Sequence, residues 1–375
     1  MKNLITTLLL AVTLLDASAA PEPVYTPYPV APTARDGRDD FNFAYGTWRT
    51  HYRILKDRLV GSHQWYECHG TSVFRPFWGG SGNLEDADIK CPNRYIVGMT
   101  LRLYDAQTHQ WTLWWGTKKL GIPPPPQVGH FDANGVGDFY SYDNWKGTPV
   151  ICRFHWTKVN GNIHFEQAYS TDGGKSWEVN WVTDTERVSS SSKGVWNATA
   201  PGDGHNGFDF LIGTWRTHYM QLRHPLSDSH DWLACDGTSS VQPFWGGSAD
   251  IEDDDLHCPA QHIVGVTVRL YDPITHQWSL YSGTQERGLA LPPQVGKFGA
   301  DGAGDFFGLD TFEGKPIVVR YRWAQHNGNP RFEEAFSADK GKTWQTVWTT
   351  DYQRVTRRNA SLGVEKGEKE ISKLD

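Results

Sequence analysis

The chain has 375 residues and a formal net charge of −7. It is longer than a single core usually grows, which predicts two domains. The slight acidity and the lack of a strongly basic block argue against a nucleic-acid partner, and beyond the N-terminus no run approaches the roughly 18 apolar residues of a membrane anchor.

Residues 1–20 read as a secretory signal: Lys2, an apolar run from Leu4 to Leu15, then the small residues Ala17 to Ala20. The mature protein is therefore expected to be soluble and secreted or periplasmic. Residues 21–40 hold five prolines and read as a leader with little fixed structure.

Sliding the chain against itself by 167 residues then lays Phe41–Arg187 on Phe208–Arg354 without a gap, with 76 of 147 positions identical. A period this long marks a duplicated whole domain rather than a solenoid. The expected domains are 41–187 and 208–354, joined by a polar linker at 188–207 and followed by a charged tail at 355–375. Because the repeat is complete and the linker polar, each copy is expected to fold alone. Sequons at Asn197 and Asn359 fall in the linker and the tail. The same shift carries Cys68 onto Cys235 and Cys91 onto Cys258, which predicts one disulfide per domain. Cys152 falls on Val319 and reads as a small buried apolar residue.

Within each copy the apolar pattern has period two. Val97, Met99, Leu101 and Leu103 alternate with Gly98, Thr100, Arg102 and Tyr104, the pattern of a half-buried strand. Asp105–Gln110 turns the chain into Trp111–Trp115, and Asn160-Gly161-Asn162 joins two further strands as a hairpin. No window shows helical spacing with caps. The class is all-β, and eight or more strands in 147 residues must close into a barrel or stack as a sandwich.

The copies open with Phe41-Asn42-Phe43-Ala44-Tyr45-Gly46-Thr47-Trp48 and Phe208-Asp209-Phe210-Leu211-Ile212-Gly213-Thr214-Trp215, and they end on Arg187 and Arg354. Here the chain resembles the calycin or lipocalin-like barrels, and the Phe-Asp-Phe-Leu-x-Gly-x-Trp string resembles bacterial families of that kind without an assigned function. The resemblance implies two tandem antiparallel β-barrels. It also implies that Arg187 packs across Trp48, and Arg354 across Trp215, to close each barrel base.

Ser170–Trp177 and Ser337–Trp344 have Asp-box spacing, which a single hairpin turn per domain explains. Polar residues kept in both copies are Arg49, His51, Tyr52, Arg102, His109, Arg153 and Glu166, with Arg216, His218, Tyr219, Arg269, His276, Arg320 and Glu333. With Trp48 inward, alternation places Thr50 and Tyr52 inside and turns Arg49 and His51 outward. His109 reads as a solvated turn residue, and Arg153 with Glu166 as a surface ion pair. The acidic runs Glu85–Asp88 and Glu252–Asp255 read as solvated loops outside the barrel rather than calcium sites. No phosphate loop, zinc spacing or nucleophile elbow occurs, so neither a cofactor nor a metal is expected.

Three functions remain open. An aromatic barrel interior suits one small apolar ligand, and the candidate lining is Tyr52, Trp111, Trp115, Phe154 and Trp156, with Tyr219, Trp278, Ser282, Tyr321 and Trp323 in the second copy. An enzyme inside the barrel, of isomerase, hydratase, cyclase or decarboxylase type, has Tyr52 as its one shared titratable group. A secreted glycan or protein recognition module would use exposed tryptophans in tandem. The exchange of Trp115 for Ser282 predicts a roomier and more polar cavity in the second domain.

Overall fold

The computed structural model describes residues 27–192, 205–259 and 261–355. The signal segment, both sequons, most of the linker and nearly all of the charged tail lie outside them.

Two closed antiparallel barrels stand in tandem. The first consists of β1 (Gly46–Leu55), β2 (Trp65–Phe77), β3 (Gly82–Cys91), β4 (Arg94–Asp105), β5 (Gln110–Thr117), β6 (Gln127–Phe131), β7 (Gly137–Trp145), β8 (Thr148–Val159), β9 (Asn162–Ser170) and β10 (Glu178–Ser189). It is a meander in which each strand pairs with the next, and β1 pairs with β10 to close it. The second repeats this with β11 (Gly213–Leu222), β12 (Trp232–Phe244), β13 (Ala249–Cys258), β14 (Gln261–Asp272), β15 (Gln277–Thr284), a two-residue β16 (Gly288–Leu289), β17 (Gln294–Phe298), β18 (Gly304–Phe312), β19 (Lys315–His326), β20 (Asn329–Ser337) and β21 (Gln345–Arg354). Closure removes the sheet edges that an open meander of this length would leave unpaired.

Local chemistry sets the corners. Asn160 and Gly161 have positive φ, 52° and 80°, as the two-residue turn between β8 and β9 requires. In the Asp-box turns, Asp172 accepts from the Lys175 and Ser176 backbone N–H groups and from the Ser176 hydroxyl, while Trp177 Nε1 donates to the Gly174 carbonyl. The same bonds recur around Asp339 and Trp344. Each domain has one cross-strand disulfide, Cys68–Cys91 and Cys235–Cys258, and Cys152 is free and buried. Two disulfides fit an oxidising extracellular or periplasmic compartment. Among the described residues no helix is long and apolar enough to cross a membrane.

One end of each barrel is plugged. Phe41 and Phe208, each followed by a 3₁₀ turn, sit edge-on to Trp111 and Trp278 at 5.0 Å. Arg187 Cζ lies 4.0 Å from the Trp48 ring centroid, and its guanidinium donates to the Tyr45 and Phe43 carbonyls. Arg354 repeats this over Trp215, with the Ile212 and Phe210 carbonyls.

Three expectations need correction. The Pro-rich leader is structured from residue 27: Tyr28 stacks on Tyr140 at 5.2 Å, Gln110 donates to the Val30 and Ala31 carbonyls, and Trp111 Nε1 donates to the Gly37 carbonyl. Deep in the barrel end, those two donors would otherwise be buried without partners, and the leader satisfies them. Arg153 does not pair with Glu166; its guanidinium lies 4.8 Å from the Trp177 ring and its Nε 4.0 Å from Asp138, because Ala168, not Glu166, stands opposite it.

Nor is β4 a half-buried strand, for both its faces are covered. Thr100, Arg102 and Tyr104 face the barrel interior. Met99, Leu101 and Leu103 turn outward and join Leu84, Trp114 and Ile122 in one apolar cluster with Phe244, Trp245, Ile251, Val266, Val268 and Leu270 of the second barrel. Alternation located the apolar side correctly but could not show that another barrel covers it. The contact is reciprocal: Trp78 Nε1 donates to the Gly265 carbonyl at 2.8 Å, and Trp245 Nε1 to the Gly98 carbonyl at 3.1 Å. Trp245 is the repeat equivalent of Trp78 and Gly265 that of Gly98, each 167 residues on, so the two barrels dock through equivalent faces, as in an isologous dimer.

Candidate functional site in the barrel interiors

Inward positions follow from strand period two. β1 contributes Thr50 and Tyr52, β3 contributes Asn83, Glu85, Ala87 and Ile89, and β10 contributes Trp181, Thr183 and Thr185. Most of these, with Ser72, Phe74, Thr100, Trp115, Phe154, Trp156, Phe165 and Gln167, enclose a cavity of about 80 Å³ in the first barrel. One water needs about 10–15 Å³ on this measure, so the space holds several waters or a small ring-sized molecule.

A polar relay runs down one wall. Tyr52 Oη lies 3.3 Å from Ser72 Oγ, which donates to Glu85 Oε1 at 3.1 Å. Glu85 Oε2 accepts from Arg102 Nη2 at 2.5 Å, and Arg102 Nη1 donates to Asn83 Oδ1 at 3.0 Å. The Arg102 guanidinium is fully buried with Phe41, Phe74 and Trp156 around it at 4.9–5.1 Å. Burial, with the nearby Glu85 charge, pushes the Tyr52 phenol well above its ordinary range, so it is a neutral hydroxyl at any physiological pH. With Glu85 tied to Arg102, this wall offers hydrogen bonds rather than a free base.

The rest of the lining is largely aromatic: Trp115, Phe154, Trp156, Phe165 and Trp181, with the Trp181 ring edge-on to Tyr52 at 5.9 Å. Trp181 Nε1 donates to Thr183 Oγ1 and Gln167 donates to Asn180. Trp156 Nε1 is buried with no partner. The equivalent Trp323 Nε1 is unpartnered too, so an unpaired indole does not mark a ligand, and it is the Trp156 ring that lines the cavity.

Of the sequence candidates, the cavity unites Tyr52, Trp115, Phe154 and Trp156. Trp111 does not reach it: the indole lies beneath, against Phe41, and is spent on the Gly37 carbonyl. Trp278 occupies the same buried level of the second barrel, against Phe208.

The second interior has diverged in three ways. Thr185 becomes Tyr352, whose buried ring meets Trp215 and Trp323 and whose hydroxyl donates to Glu252 at 2.9 Å. Tyr352 thus fills, in the second interior, the place that Thr185 leaves open in the first. Trp115 does not obstruct the first barrel, because its indole lies against Gly98, where a Cβ would come within 2.4 Å of the ring.

The expected polarity of the second barrel is present, and it is acidic. Asn83 becomes Asp250 and Ala87 becomes Asp254. Arg269, fully buried, pairs with Asp250 at 2.6 Å and with Glu252, and Tyr219 donates to Asp254 at 3.3 Å. Burial and the neighbouring Glu252 raise Asp254 well above the usual carboxylate range. The acidic runs are therefore the middles of β3 and β13, with alternate carboxylates pointing inward, and not solvated loops. A sequence signal existed: the copies share a glutamate, Glu85 and Glu252, in the same period-two phase as the inward Ile89 and Leu256.

Nearer the other end, Gln167, Phe154 and Trp115 are replaced by Glu334, Tyr321 and Ser282. Burial, reinforced by Asp310, raises Glu334 to about 7. An acid raised in the folded state stabilises the fold while protonated, and that contribution disappears as pH rises through the folded value. The second barrel is therefore expected to lose thermal stability as pH climbs from about 4.5 to about 7. Glu334→Gln, the glutamine of the first barrel, flattens Glu334's share of the slope in melting curves recorded across that range.

No family model and no curated protein matches the chain. Among solved structures it has weak similarity to a protein of unknown function of the DUF3598 family from Nostoc punctiforme: 10% identity over 86% of this chain and 100% of that one, TM-score 0.23. Kievitone hydratase from Nectria haematococca matches at 9% identity over 88% and 98%, TM-score 0.14. A porin-like protein from Bacteroides uniformis matches at 7% over 83% and 96%, TM-score 0.12. Similarity at this level carries no functional argument.

Proposed function

We propose that the first barrel is a receptor for one small, largely apolar or aromatic molecule bearing a hydrogen-bond acceptor. The observation that carries this reading is a cavity of about 80 Å³ inside the closed first barrel, walled by Trp115, Phe154, Trp156 and Trp181 and interrupted by the hydroxyl groups of Tyr52, Ser72 and Thr100. Tyr52, Ser72 and Thr100 supply polar contacts, while Trp115, Phe154 and Trp181 supply area. The second barrel, filled by Tyr352, serves as the docking partner that covers β4.

Native mass spectrometry of the full chain purified from its own source tests this. One small molecule retained per chain, lost on mild activation, is expected; a chain that is always bare after gentle purification, and that also ignores apolar probes, contradicts it.

A catalytic reading rests on the second barrel alone. Glu334, titrating at about 7 beside Tyr321 and Ser282, has the properties of an acid–base group at neutral pH. If that is its role, Glu334→Gln abolishes turnover of an enolisable or hydratable substrate while leaving ligand capture by the first barrel intact.

A further inference from the structure

We propose that the outer face of the second barrel binds one divalent transition-metal ion through Asp255, His257 and His262. β13 and β14 are antiparallel neighbours, and His257 stands directly opposite His262 in their register. Their rings stack at 4.6 Å with 7° between planes. Asp255 precedes His257 by two residues and so lies on the same face of β13. His262 Nε2 is 2.5 Å and His257 Nε2 3.3 Å from the same oxygen, Asp255 Oδ1. One ligand atom from each residue falls in a cluster with no pair more than 4.8 Å apart.

Two neutral imidazoles and a carboxylate are borderline donors that suit zinc, copper or nickel better than calcium or magnesium. Bonds of about 2.0–2.1 Å to all three need only rotation of exposed side chains. Each of the three side chains is at least half exposed, so three protein ligands leave coordination positions open to solvent. Asp255 and His257 also border a surface cleft of about 830 Å³ that includes Arg216, His218 and Asp236. The open positions can thus take a small anionic or carbonyl ligand from the cleft, which is the arrangement of a functional rather than a purely structural metal site.

The first barrel supplies an internal control. The equivalents of Asp255, His257 and His262 are Asp88, Lys90 and Tyr95, and Tyr95 donates to Asp88 at 2.8 Å. The carboxylate is shared, and both nitrogen ligands are particular to the second copy. Sequence spacing did not disclose the site because its two histidines meet across a strand pair and not along a helix or a cysteine knuckle.

The test uses the full, tag-free chain stripped with a chelator and titrated with Co²⁺ and Zn²⁺, read by visible d–d absorption and equilibrium dialysis. One equivalent at micromolar or better affinity is expected. It should weaken by more than about tenfold, the scale that even outer-shell changes reach, in His257→Gln and in His262→Gln. His51→Gln in the first barrel leaves it unchanged. Lys90→His combined with Tyr95→His should raise the stoichiometry from one to two. No binding by the wild-type chain, or binding indifferent to loss of both His257 and His262 in a variant with unchanged circular dichroism, overturns the proposal.

Discussion

Replacing Arg269 by methionine should cost about 3–5 kcal/mol, the price of leaving buried charges uncompensated. Arg269 is fully buried and is the cation shared by Asp250 and Glu252, with Asp254 close by. For a domain of this size that loss lowers the thermal midpoint by on the order of ten degrees. Arg102→Met should cost less, since Arg102 leaves behind only Glu85 and the neutral Asn83. Two controls separate the electrostatic account from simple loss of packing. Asp250→Asn should partly rescue Arg269→Met, and the deficit should shrink as pH falls and the stranded carboxylates protonate. Equal losses for the two arginines, independent of pH, would assign the effect to packing.

Separating the barrels should change the state of association more than the fold. A first barrel expressed as residues 27–192, with the leader that serves Gln110 and Trp111, keeps its closure and its disulfide but exposes Met99, Leu101 and Leu103, all essentially inaccessible in the full chain. An uncovered apolar face of this kind favours association. The docking faces of the two barrels are equivalent, so a second copy of the first barrel can offer Gly98 to Trp78 as Gly265 does. Light scattering after size exclusion should therefore give a dimer, and Leu101→Lys a monomer. A monodisperse monomer from the unaltered fragment would show that the inter-barrel cluster does not drive association. The polar linker had suggested independent domains; linker composition reports on the connection and says nothing about faces that meet elsewhere.

How much was legible in the sequence follows from this. The repeat, the strand period, the Asn160-Gly161 turn and the cysteine pairs are local or translational signals, and each could be read without knowing the tertiary structure. Inward phase along β1 was equally readable, since Trp48, Thr50 and Tyr52 alternate with exposed or half-exposed residues. Strand β4 was misread because both faces are buried for different reasons, one by the barrel interior and one by the partner barrel. The acidic runs were misread because a carboxylate looks solvated until the arginine that neutralises it is placed, and Arg102 comes 17 residues after Glu85. Cavity volume was the least legible quantity. It depended on Thr185 becoming Tyr352 and on Gly98, a glycine in both copies, accommodating the Trp115 ring, neither of which the Trp115 to Ser282 exchange revealed.

The measurement that bears most directly on the central claim is a titration of the full chain with an environment-sensitive apolar dye, repeated with Thr185→Tyr. That substitution places in the first barrel the side chain that fills the second. The account predicts one dye per chain, a loss of affinity of at least about tenfold in Thr185→Tyr with melting behaviour little changed, and no effect of Ser282→Trp. Two equivalent sites, or binding untouched by Thr185→Tyr but abolished by Ser282→Trp, would contradict it.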